Sequence, residues 1–218
     1  MIPNHLGFVR RIRAPHSMHS AMHSAMAAAL IFWTLLPSLD GQRRLSLLTG
    51  FDRTPNPSAV AWMEKEVTRL FSAAGLTLSW QRNLQITHGE ITGLPVWVQF
   101  HGSCRIAPGY LSLATDGPMA WAAVQDGEIL PIIEVDCTRT AEMVWQNRGT
   151  VPVPLVNRAF GLALGRVVAH ELYHYLAHST IHTESRLFRK AMTSMDLTLP
   201  NIRFDSGEID ALRKSMRE

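Results

Sequence analysis

HELYHYLAHSTIH, residues 170–182, holds four histidines, His170, His174, His178 and His182, each four residues from the next. Residues four apart on an α-helix share a face and lie ~6 Å apart along its axis. His170 and His174 can therefore close on a single ion. On a straight helix His178 would lie ~12 Å and His182 ~18 Å from His170. A metal such as zinc reaches only ~2.1 Å to an imidazole nitrogen. Either the ladder decorates one face of a metal-free helix, or the helix stops and the chain folds back with a third ligand.

The first five residues, His170-Glu171-Leu172-Tyr173-His174, form the HExxH pattern. On a helical wheel Glu171 lies ~100° from His170 and ~60° from His174. Its carboxylate can reach the open side of a bound metal without being a ligand. Metal-assisted hydrolysis needs that arrangement, because zinc lowers the pKa of its bound water to ~7 and a nearby carboxylate takes the proton. The preceding residues, Phe160, Leu162, Ala163, Leu164, Val167, Val168 and Ala169, are apolar on nearly all sides. A helix of that kind is buried, and two histidines and a glutamate at its end call for a metal.

The third ligand is argued from helix propensity. Ser179 and Thr180 are weak helix formers, and Thr180 and Ile181 are β-branched. A helix running to about His178 and breaking there gives the chain four residues to return, which suits His182. His178 is the alternative and requires unwinding just after His174. Glu184 is a further carboxylate alternative.

Hydrophobic content of 46% and charge of 18% describe a globular chain. The net charge of +3 comes from 21 basic and 18 acidic residues. Three of those basic residues, Arg10, Arg11 and Arg13, and one acidic residue, Asp40, lie in residues 1–41, which leaves 18 against 17 in the rest. No basic patch argues for a nucleic-acid partner. The apolar run at 25–36 follows this basic stretch and ends at Pro37, the layout of a signal peptide and short for a membrane span. Residues 1–41 are expected to be a signal peptide or membrane anchor, and the protein to be exported to the periplasm or cell exterior. His16, His19 and His23 read as a polar part of that leader. Cys104 and Cys137 suit an oxidising compartment, and a disulfide between them needs their strands to be neighbours.

Along the chain, 59–74 reads as an amphipathic helix with Gly75 as its stop. Strands are expected at 76–80, 95–101, 110–114, 120–125 and 128–135. Asp126-Gly127 turns the last two into a hairpin. Thr138 can cap a helix through 146. The motif helix is expected over 155–177, and Asp205 or Ser206 caps a last helix. The order gives an α+β domain at 42–218: a helix, a small mixed sheet with a hairpin, then a buried helix packed on it.

In this setting HExxH on a buried helix resembles the zincin metallopeptidases, and the continuation looks closest to their metzincin-like branch. The resemblance is strong over about 13 residues and architectural elsewhere. That branch places a glycine three residues after the second histidine and a third histidine six after it, where this chain has Ala177 and Thr180. It also places a methionine turn below the metal, for which Phe188, Met192 and Met195 are all candidates. No tyrosine follows the motif helix, so an oxyanion-stabilising tyrosine has no match. The resemblance implies a zincin-like fold and a Zn²⁺ peptidase acting on peptides or proteins. In it His170, His174 and His182 bind the metal and Glu171 is the general base. The competing class is a non-catalytic zinc protein, whose metal only braces the fold and whose fourth position is closed by protein.

Overall fold

The run RLSLLTGF is buried from Leu45 to Thr49 without alternation, the pattern of a strand covered on both faces. It forms β1 (Arg44–Phe51). The computed structural model describes residues 44–82, 91–106, 117–145 and 153–217. No strand was expected here, because alternation was the signal sought and a doubly covered strand lacks it. The sheet thus begins before the first helix, which corrects the expected order.

From β1 the chain enters α1 (Pro57–Ser72) and returns as β2 (Thr77–Arg82). Asn56 caps α1 by accepting hydrogen bonds from the Ser58 and Ala59 N–H groups, and Pro57 sits in the first turn. β2 lies parallel to β1, with Leu47 opposite Trp80. β3 (Leu94–His101) pairs parallel on the other side of β1. Then follow β4 (Ala120–Gln125) and β5 (Glu128–Asp136), joined by the expected Asp126-Gly127 turn. Both turn residues have positive φ, 52° and 85°, as a type I′ hairpin requires. β5 pairs parallel to β3 and antiparallel to β4, so the sheet order is β2-β1-β3-β5-β4. Among the described residues β4 is an edge.

Along β3, Val96, Val98 and Phe100 turn inward and are buried, while Trp97 faces out. Ile133 and Val135 of β5 join them beneath α1, α2 (Cys137–Trp145) and α3 (Val153–Leu176). Cys104, just past β3, is bonded to Cys137 at the start of α2, with their Cα atoms 4.9 Å apart. The pairing of β3 with β5 brings them together. The expected strand at 110–114 and the leader at 1–41 lie outside the described residues. An extended connector is the reading of 151–154 from its two prolines; 151–152 also lie outside, and 153–154 instead open α3, since proline is tolerated in the first helical turn.

α3 has 24 residues and so spans ~36 Å. Gly161 and Gly165 let α1 come close. A Cβ at Gly161 would meet the Ala59 carbonyl oxygen at 2.4 Å, and one at Gly165 would meet Glu66 Cβ at 2.9 Å. At this contact Glu66, buried on α1, accepts a 2.9 Å hydrogen bond from Nε of Arg166, buried on α3. Burial pushes the Glu66 carboxyl up, but hydrogen bonds from Arg69 and the charge of Arg166 outweigh it and hold the group below its ordinary range. Arg166 also donates to the Asp196 carbonyl at 3.1 Å. Asp196 lies in α4 (Ser194–Thr198), which is followed by α5 (Ser206–Ser215). Asp205 is the N-cap of α5 and forms a capping box with Glu208.

Candidate metal centre

The sheet-covered stretch of α3 ends in the motif, so His170 and His174 are both buried on one helix face. Their Nε2 atoms lie 3.0 Å apart. The helix stops at Leu176. His178 takes the left-handed conformation, φ 47°. Its N–H bonds to the Tyr175 carbonyl, and the Ser179 N–H bonds to the His174 carbonyl. This is a Schellman stop with His178 at C′, a position histidine tolerates better than most side chains.

The chain then turns back. Ser179 Oγ accepts from the Ile181 N–H. The Thr183 N–H bonds to the Phe188 carbonyl at 3.0 Å, and the Thr183 and Ser185 hydroxyls donate to Glu208 of α5. The loop so anchored delivers His182, whose Nε2 lies 3.3 Å from that of His170. One ligand nitrogen from each of His170, His174 and His182 lies within 4.8 Å of the others. Two ligands on a tetrahedral zinc stand about 3.3 Å apart, given Zn–N bonds of ~2.0–2.1 Å. The structure therefore brings together three of the four histidines. His178 is exposed and turned to another cavity, lined by Arg44, Leu94, Tyr175 and Met216. Glu184 is exposed and outside the cluster.

The hydrogen bonds of the rings fix what they can hold. His170 Nδ1 donates to the Leu187 carbonyl at 2.7 Å, and His174 Nδ1 donates to the Ser179 carbonyl at 2.6 Å. With those protons on Nδ1, neutral rings present bare Nε2 lone pairs to each other. Two lone pairs at 3.0 Å repel, and a cation between them removes the conflict. Burial disfavours the charged form of both rings: it drives the His170 pKa down to about 4, against the opposing bond to Leu187, and lowers that of His174. Neutral imidazole is the form that binds metal. The donor set fits zinc. Among the described residues no fourth histidine, cysteine or carboxylate joins the three.

Glu171 stands beside the cluster and outside it. Its Oε2 accepts a 2.9 Å bond from the Ala122 N–H of β4, a donor free because β4 is a sheet edge. Burial raises its pKa to about 7, with the Ala122 bond acting against the rise. A carboxyl poised there can take and give a proton near neutral pH. His170 and Glu171 also line a cleft of about 230 Å³ that runs under the start of β4.

Phe188 is the floor. It is fully buried, with its ring 5.4 Å from His170 and 4.0 Å from Tyr173. Met192 lines the cleft and Met195 is exposed. The Leu187 and Ser179 carbonyls and the Ala122 N–H were not predicted, because backbone partners leave no mark on residue type.

No family model and no curated protein sequence matches the chain. Among solved structures, archaemetzincin from Methanopyrus kandleri is similar, with a TM-score of 0.50 and 12% identity, over 84% of this chain and 100% of that one. At that identity the likeness is one of fold. It bears out the expected α+β architecture, a mixed sheet with a hairpin packed on the motif helix.

Proposed function

We propose that this chain is a zinc-dependent peptidase, with His170, His174 and His182 as the metal ligands. The observation that carries the reading is the convergence of three histidine nitrogens with a buried carboxyl beside them that is not part of the set. Zinc held by these three histidines would supply Lewis-acid chemistry for hydrolysis of a peptide carbonyl. The protein residues do the rest. Glu171 accepts the proton of the attacking water and passes it to the leaving amine, a role its raised pKa suits. The Leu187 and Ser179 carbonyls hold the two helix histidines in the tautomer that presents Nε2. The open edge of β4 aligns an extended peptide by strand addition.

The experiment is Glu171→Gln, which keeps shape and removes basicity. Zinc content and fold stay as in wild type, and peptide hydrolysis falls by at least ~10²-fold. Loss of zinc in this variant contradicts the role given to Glu171. A wild type that binds one zinc and cleaves nothing in a broad peptide library supports the competing reading, a structural zinc site. The Cys104–Cys137 disulfide supports export, since such bonds persist in oxidising compartments. Amino-terminal sequencing of protein from its native host tests that, and an intact Met1 on soluble cytoplasmic protein ends it.

A further inference from the structure

The cleft beside His170 and Glu171 is cationic. Arg139 of α2 and Arg189 and Lys190 of the loop after the metal cluster line it, and Glu171 is the acidic side chain among its lining residues. Arg139 and Arg189 are 21% and 37% exposed; Arg139 gives an Nη to Glu142 at 3.3 Å, and Arg189 gives its two Nη groups to Asp196 and the Glu184 carbonyl, each at 3.5 Å. Their Nε atoms are shielded from solvent, so a carboxylate entering the cleft meets the Nη groups. Each Nη carries two N–H donors, so donors remain beyond these bonds, and a guanidinium presents them in a planar array that matches a carboxylate. The other walls include Val167, Met143 and Met192, which suit an aliphatic stem.

We infer that this cleft receives a carboxylate from the substrate residue beside the scissile bond, with Arg139 and Arg189 as its partners and Lys190 adding charge. The inference rests on the peptidase reading and names its substrate class. The substrates are peptides with Asp or Glu next to the cleaved bond, or with their terminal carboxylate in that place.

Zinc-loaded protein is tested with isosteric peptide pairs, glutamate against glutamine at each position flanking the bond, with the C-terminus free or amidated. Binding and kcat/KM are both measured. In wild type the glutamate peptide binds and is cleaved at least ~10-fold better than its glutamine partner, the scale of a hydrogen bond to a charged group. A preference that follows the free C-terminus instead assigns the cleft to the terminal carboxylate. Arg189→Gln and Arg139→Lys bring the ratio toward one, lowering binding and kcat/KM of the glutamate peptide more than those of the glutamine peptide. Lysine at 139 keeps a charge beside buried Glu142 and loses the planar array. An absence of acid preference in wild type, or its survival in both variants, overturns the inference. Acid-selective binding that depends on the arginines, without any cleavage, sustains the cleft and defeats the peptidase reading.

Discussion

Glu66→Ala tests how the motif helix is held. Glu66 and Arg166 are 4% and 1% exposed, and their 2.9 Å bond joins α1 to α3. Glu66 also takes two bonds from Arg69, which in turn donates to the Ile202 carbonyl at 2.6 Å. Arg166 lies four residues before His170, so the pair fixes the rotation of the helix that carries His170 and His174. Alanine at 66 leaves a buried guanidinium that has lost its carboxylate and still donates to the Asp196 carbonyl. Breaking one side of a buried ion pair costs about 3–5 kcal/mol. In a domain of this size each kcal/mol moves Tm by roughly 2–4 °C, so Tm falls by roughly 6–20 °C. Replacing both partners, as Glu66→Leu with Arg166→Met, recovers most of the loss, because an apolar pair needs no desolvation. The assay is calorimetry with urea titration of wild type, both single variants and the double. A single-variant loss under about 1 kcal/mol, or a double variant worse than either single, refutes the argument that burial makes this pair matter.

Gly161→Ala sets a Cβ against the Ala59 carbonyl and Trp62 Cβ at 2.4 and 2.5 Å. It forces α1 and α3 apart and costs about 1–3 kcal/mol or more in urea titration. An unchanged midpoint means the helices are not in that contact. Metal-free protein carries a pH signature at Glu171. Its folded pKa, about 7, lies above the ordinary 4.5, so the folded state binds more protons between those values and loses stability as pH rises through them. Glutamine cannot titrate. Glu171→Gln therefore matches wild type near pH 4.5 and exceeds it by at most about 3 kcal/mol above pH 7. Urea midpoints in a chelating buffer at both pH values check this, and a constant difference between the two proteins contradicts it.

Much of the site was legible because its signals are local. HExxH after an apolar run identifies a buried helix with two histidines on one face, Asp126-Gly127 marks a hairpin, and Asp205 or Ser206 marks a helix start. The return of His182 was readable only as geometry. Where the metzincin-like pattern has glycine three residues after the second histidine, this chain has Ala177, and the helical turn runs one residue further. His178 then supplies the left-handed stop. The third histidine comes two residues later than in that pattern, at His182, on a longer loop. What stayed illegible depends on distant partners. β1 lacks alternation because both of its faces are covered. Glu66 and Arg166 are 100 residues apart, and no spacing rule links them. Phe188 could be separated from Met192 and Met195 only once the loop was folded beneath His170. Arg139 and Arg189 look like ordinary surface charges until the cleft places them together.

The assignment of His170, His174 and His182 to one zinc is tested by zinc stoichiometry combined with zinc-edge X-ray absorption on wild type, His182→Ala and His178→Ala. Expected are one zinc per chain with three imidazole nitrogens at ~2.0–2.1 Å, binding weakened in His182→Ala, and binding unchanged in His178→Ala. Zinc lost from His178→Ala and kept by His182→Ala, or wild-type protein that takes up no zinc at all, contradicts it.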